Sequence, residues 1–299
     1  MLRLLVLFVL IAPDLAVAQQ AGLVPAYLLR LPKSVSTVLI AEANKSTLHR
    51  YIVKQQGAEL DDESYMSVGQ NGVSKMRAWD RRTPLGIYFI NEQLDTSKLH
   101  DKYGPIAFPL DYPNVWDQLL GRSGDGIWIH GVAAGGDRRP PLDTDGCIAL
   151  PNDELLAVAG LLTPLVTPVI ITRDIRWISP QDLSLIQQRL QSVVDEWASS
   201  YLSGDLYSYL NLYGDDFQHR GMNKDEWSAY RLQTMGAAKV RDFYLDDMLL
   251  LADPEEDGLY LSRFRQTIAD ATHTVVTIKR LYWRESADGK LRIVAEDNG

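Results

Sequence analysis

Asp143-Thr144-Asp145-Gly146-Cys147-Ile148-Ala149-Leu150 is the stretch on which the reading of this chain turns. A polar run bends through a glycine and enters an apolar run at a cysteine. Gly146 supplies the backbone freedom that a sharp turn needs. Gly146 and Cys147 are therefore expected to present adjacent N–H groups to an anion, the geometry of an oxyanion hole. Cys147 is the one cysteine of 299 residues, so no intramolecular disulfide can form. Composition alone favours a small buried hydrophobe at such a position. The surrounding sequence points to a nucleophile instead.

Upstream lies Ile127-Trp128-Ile129-His130-Gly131, an apolar strand that ends in His-Gly. A thiol attacks only as a thiolate, and an imidazole can take its proton. His130 is a candidate base for Cys147, a weak pattern by itself because the two can meet only through the fold. The loop from Val132 to Asp143 carries glycines, prolines, Arg138 and Arg139, the texture of an exposed active-site loop. The two guanidiniums suit bidentate carboxylate binding, or are solvated loop charges. Tyr112 and Trp128 are groove walls or core aromatics. Asp145 is a turn residue bonded to nearby backbone, or a carboxylate that supports the imidazolium. His49, His100, His219 and His273 lack metal-ligand spacing, and no glycine-rich phosphate loop is present. No metal or cofactor is expected.

Working outward, Ser36 to Ala41, Thr47 to Lys54, Ile87 to Asn91, Gly126 to His130 and Val166 to Thr172 have strand length and β-branched or aromatic content. Asn152 to Leu162 is the clearest helix among them, with an Asn/Asp cap. A mainly β domain is expected over residues 36–173. Ser179-Pro180 then signals a helix start. Leu183, Ile186, Leu190, Val193, Val194, Trp197 and Tyr201 recur at the helical period. Further helices are expected around Leu206 to Tyr213 and Lys224 to Gly236. Strand-like runs return, with a hairpin turn at Ser286-Ala287-Asp288-Gly289. Helices followed by strands predict an α+β domain, a curved sheet packed on helices, over 183–299.

The N-terminus places Arg3 before an apolar run from Leu4 to Ala12 and ends in Ala16-Val17-Ala18. That is the build of a cleaved secretory signal, residues 1–18, and predicts export to the periplasm. The run is about half of the ~20 residues that span a bilayer, so no membrane span is expected after cleavage. Apolar content of 46% and charged content of 23% are those of a globular chain. A net charge of −9 disfavours nucleic acid as a partner.

His130, Gly131, Thr144, Gly146 and Cys147 together resemble the signature of the L,D-transpeptidase catalytic domain (YkuD-like) family. Ser67-Val68-Gly69-Gln70, Arg82-Thr83-Pro84-Leu85-Gly86-Ile87-Tyr88, Tyr103-Gly104 and Asp111-Tyr112-Pro113-Asn114 resemble other elements of that family. Asp145 departs from it, since many members carry a second histidine before Gly-Cys. The resemblance implies a YkuD-like β-sandwich and a cysteine-dependent acyl transfer on peptidoglycan stem peptides. Cys147 would attack the carbonyl of the third stem residue, usually diaminopimelate, and D-alanine would leave. An amine acceptor makes the enzyme an L,D-transpeptidase. Water makes it an L,D-carboxypeptidase, or a hydrolase that releases a wall-attached protein. Gly146, Thr144 and Gly131 would shape the turn and oxyanion site; Arg139, Arg138, Tyr112 and Asp145 would contact substrate. A catalytically silent wall-binding module would instead leave Cys147 buried and unreactive.

Residues 183–299 resemble the NTF2-like (SnoaL-like) fold through Trp197, Tyr209 to Tyr213, Asp216-Phe217, Trp227 to Arg231, Phe264 to Gln266, Lys279 to Trp283 and Ile293 to Glu296. That implies an aromatic-lined cone able to bind a wall ligand or to pair subunits. L,D-carboxypeptidases that shape helical bacteria join the same two kinds of domain.

Overall fold

The computed structural model describes residues 22–55, 57–136, 138–237, 242–270 and 272–299. The expected signal, residues 1–18, lies outside the described residues. A mainly β domain is followed by an α+β domain.

The first domain is a β-sandwich. One sheet has five strands in the order Gly57–Tyr65, Thr47–Lys54, Thr37–Glu42, Pro168–Thr172, Gly86–Phe89. The facing sheet has four, in the order Ile148–Ala149, Trp128–His130, Ile106–Pro109, Leu94–Asp95. Leu39, Ala41, Val169 and Ile171 from the first sheet share a core with Phe108, Ile129 and Ile148 from the second. Alternate residues Val38, Ile40 and Ile170 point the other way, into a second core. The unbroken apolar runs at 38–41 and 169–171 follow from this, because that sheet is buried on both faces.

The second core is shared between the domains. Leu249, Leu251, Leu261 and Tyr282 come from a seven-stranded sheet of the second domain and pack against Val38, Ile40, Ile87 and Phe89. Each such aliphatic side chain contributes about 1.5–3 kcal/mol when fully buried. Arg280 adds a polar rivet. It donates to Asp111 Oδ2 at 2.5 Å across the interface and to both oxygens of Asp297 at 2.6 Å.

Three helices cover the far side of the seven-stranded sheet. The first two described helices, α1 (Val115–Leu119) and α2 (Asn152–Ala159), belong to the sandwich. The next three are α3 (Pro180–Ser203), α4 (Leu206–Asn211) and α5 (Lys224–Ala237). Ser179 caps α3 by accepting from Asp182 N, with Pro180 in its first turn. Leu190, Val194 and Trp197 of α3 meet Leu250, Phe264, Leu281 and Trp283 of the sheet. The hairpin turn at 286–289 is present, closed by Gly289 N to Ser286 O at 2.8 Å.

Three features differ from the sequence expectation. Strand Leu28–Arg30 forms an edge of the seven-stranded sheet, and Val24–Pro25 pairs with Trp177–Ile178. The N-terminal segment is thereby part of the second domain's sheet. Helix α1 is present, closed by an Asn114–Asp117 capping box. Helix α2 has no side-chain cap, because Asn152 is committed elsewhere.

Candidate active site

Strands Trp128–His130 and Ile148–Ala149 run parallel, with Ile129 opposite Ile148 and His130 opposite Ala149. Both isoleucines are fully buried in the sandwich core. Side chains alternate along a strand, so Trp128 and His130 project from the other face. One step back along the register sets Cys147 beside Trp128 on that same face. Cys147 and His130 are thus diagonal neighbours across a strand pair whose core face is locked. His130 is buried, and Cys147 and Trp128 are half-buried.

The turn before Cys147 is held by two threonines. Thr144 Oγ1 donates to Cys147 O at 2.7 Å and accepts from Gly146 N at 3.1 Å. Thr83 Oγ1 donates to Gly146 O and accepts from Gly69 N, both at 2.9 Å. Gly146 has φ +125°, and a Cβ there would lie 2.7 Å from Arg82 O. This corrects one expectation. The Gly146 N–H is already bonded to the Thr144 hydroxyl, so it is not a free oxyanion donor. The thiol itself donates to Gly126 O at 3.3 Å, and the Trp128 backbone N–H is within hydrogen-bonding reach of the sulfur.

The imidazole is oriented by backbone. His130 Nδ1 lies 2.7 Å from Gly131 O. A carbonyl only accepts, so Nδ1 carries the hydrogen and Nε2 keeps the lone pair of a base. Gly131 N donates in turn to Tyr103 O at 3.0 Å. Asn152 clamps the next residue, accepting from Val132 N at 2.9 Å and donating to Val132 O at 3.0 Å. A Cβ on Gly131 would sit 2.2 Å from Asn152 Oδ1, and one on Gly104 2.8 Å from the Gly131 Cα. Two glycines therefore let two loops touch backbone to backbone. That contact brings the Tyr103 ring edge-on to His130 (centroids 5.2 Å, 81°) and against Trp128 at 4.9 Å.

Burial dominates the electrostatics of the pair. It pushes His130 down to about 4, helped by the charges of Arg139 and Lys102 and opposed by the Gly131 carbonyl. It pushes the Cys147 thiol up to about 11, opposed by the Trp128 N–H, Lys102 and Arg139, with Asp145 adding to the rise. At neutral pH the resting site therefore holds a neutral thiol and a neutral imidazole.

The remaining sequence-derived residues separate. Arg139 reaches Asp143, at 3.1 Å to its carbonyl and 3.4 Å to its carboxylate, and its charge acts on both His130 and Cys147. Arg138 is exposed and stacks 3.3 Å above the Tyr65 ring centroid. Asp145 is exposed and pairs with Arg81 Nε at 3.8 Å, leaving the imidazole to the Gly131 carbonyl. Tyr112 is a correction: it is buried in the sandwich core, edge-on to Tyr88, with its hydroxyl donating to Ser123 O. Among the other histidines, His49 is enclosed by Glu42 and His219 bonds Glu296 O. Among the described residues no His, Cys, Asp and Glu group is arranged to hold a metal ion, and no helix is long and apolar enough to cross a membrane. The sequence reading missed Lys102 and Asn152 as parts of this site. Tyr103-Gly104 was visible as a motif, but not its contact with the histidine.

Residues 39–171 match the model of the L,D-transpeptidase catalytic domain, and residues 189–297 that of the Cds6 C-terminal NTF2-like domain. No curated protein matches the chain. Two solved structures are similar along nearly the whole molecule. Bd1075 of Bdellovibrio bacteriovorus is 23% identical with a TM-score of 0.76, over 93% of this chain and 98% of its own. The helical cell shape determining protein Pgp2 of Campylobacter jejuni is 24% identical with a TM-score of 0.73, over 88% and 91%. These likenesses show that both domains and their arrangement form one recurring fold.

Proposed function

We propose that this chain, which belongs through residues 39–171 to the L,D-transpeptidase catalytic domain family and through residues 189–297 to a C-terminal NTF2-like domain family, is a periplasmic peptidoglycan L,D-transpeptidase. The observation that carries this reading is the locked pair. Cys147 and His130 share one face of a fixed strand pair, with Nδ1 held by Gly131 and Nε2 left basic.

Each proton transfer has a group in place. A stem tetrapeptide settles over Trp128 and Cys147. His130 Nε2 takes the thiol proton as Sγ attacks the carbonyl carbon of the third residue, diaminopimelate. The Trp128 N–H steadies the charge that develops on sulfur. Collapse of the tetrahedral intermediate breaks the bond to D-alanine, whose amine takes the proton back from the imidazolium. The thioester is then opened by an amine, from which His130 again removes a proton. A burial-depressed base returns its proton readily, which suits a group that must act twice.

Water in place of the amine gives an L,D-carboxypeptidase. That second reading is favoured by the two-domain architecture, which is shared nearly end to end with a protein that determines helical cell shape. In either case the NTF2-like domain, with its aromatic interior around Trp197, Tyr209, Tyr213 and Trp227, is assigned to wall-ligand binding or self-association. Incubation with purified disaccharide tetrapeptide, read by mass spectrometry, separates the readings. Cross-linked dimer supports transpeptidation, and tripeptide alone supports trimming. No loss of D-alanine refutes both.

A further inference from the structure

Lys102 stands beside the proposed site without a role in the steps above. It is half-buried in the short 3-10 turn Asp101–Tyr103. Its ammonium lies 5.0 Å from the centroid of the Tyr103 ring, and that ring is the one edge-on to His130 and against Trp128. One aromatic ring thus separates Lys102 from both the base and the residue beside the nucleophile. Its field reaches both Cys147 and His130.

The carboxylates closest to Lys102 in sequence or in the site have other neighbours. Asp101 is 2.8 Å from His100 Nδ1, Asp143 meets Arg139, and Asp145 meets Arg81. Among the described residues Lys102 contacts an aromatic ring and no carboxylate. A half-buried ammonium on an aromatic face, with three donors and no anion, is poised for an incoming carboxylate. The pair it overlooks is neutral at rest, so no resident anion competes.

We infer that Lys102 is a specificity-determining residue that receives the free carboxylate of the C-terminal residue leaving in the acylation step. This rests on the stem-peptide reading given above and deepens it. The enzyme then selects peptides that end one residue beyond the scissile bond. A chain extended past that residue, or capped as an amide, offers Lys102 no charge. Tyr103 sets the reach, because it fixes where the ammonium stands relative to the thiol.

The test compares tetrapeptide ending in a free acid with the same peptide ending in a primary amide, for wild-type protein and Lys102→Met. Wild-type kcat/KM should favour the acid by about 10- to 100-fold, the worth of one charge-assisted hydrogen bond. Lys102→Met should lose that preference, its acid-to-amide ratio falling toward one whatever the change in absolute rate, and Lys102→Arg should restore most of it. An unchanged acid-to-amide ratio in Lys102→Met overturns the inference. So does an equal fall on both substrates, which would mark a merely structural lysine. If wild-type protein releases the terminal residue from neither peptide, the stem-peptide reading itself fails and this inference with it.

Discussion

A neutral resting pair has a measurable consequence, because only the thiolate alkylates. With the thiol near 11, about one molecule in ten thousand carries a thiolate at pH 7. The gap between about 11 and about 4 spans seven powers of ten. Burial thus works against charge on either partner, and only their mutual attraction, which arises once the proton has moved, offsets it. The neutral pair is the expected resting state, and proton transfer then accompanies attack once substrate is seated. The assay is iodoacetamide alkylation followed by intact-protein mass, which is unambiguous because Cys147 is the single cysteine. The rate should climb about tenfold per pH unit from pH 6 to about 10 and level only near 11. His130→Ala should leave that slope unchanged, since the imidazole it removes is uncharged in this range. A rate already on a plateau at pH 7, and lowered by His130→Ala, would refute the neutral pair.

Two further predictions concern stability. Gly146→Ala puts a methyl 2.7 Å from Arg82 O at φ +125°, and should cost about 3 kcal/mol or more in urea unfolding; a loss under 0.5 kcal/mol would contradict the turn geometry. Asp253 is buried, with a carboxyl pushed up to about 6 against an unfolded value near 3.9. Its contribution is therefore full below about pH 4 and is lost as pH rises through 6, by roughly 3 kcal/mol. Asp253→Asn keeps the acceptor for Glu255 N and Glu256 N, so it should be more stable than wild type at pH 7 and about equal at pH 4; the same pH dependence in both proteins would count against this.

Local signals survived the comparison with structure because their causes are local. Ser179-Pro180 starts α3 through bonds made within one turn, and the hairpin at 286–289 closes on itself. Val38 to Ala41 was legible as a strand, although its double burial was not. Which layer covers the second face depends on residues more than two hundred positions away. Leu28–Arg30 was illegible for the same reason: a three-residue edge strand is defined by its partner, Asp242–Ala252. At the site, turn and strand chemistry make Cys147 and His130 candidates only, and the family resemblance is what singles them out; the strand register sets them on one face. The Gly146 N–H was misassigned because a hydroxyl two residues away competes for it, and no periodicity reveals such a bond. Asn152 looked like a helix cap by type and position; its amide instead clamps Val132, a contact that only the fold creates. Lys102 was invisible because a lysine in a polar loop carries no pattern of its own.

On the proposed mechanism Cys147 takes an acyl group from a stem peptide. The direct measurement is intact-protein mass spectrometry of wild type and Cys147→Ser, quenched within one turnover of disaccharide tetrapeptide. Wild type should gain the mass of the peptide less D-alanine, on the tryptic fragment that holds Cys147, while Cys147→Ser folds normally and gains nothing. Release of D-alanine with no adduct on that fragment, or with undiminished turnover by Cys147→Ser, would contradict it.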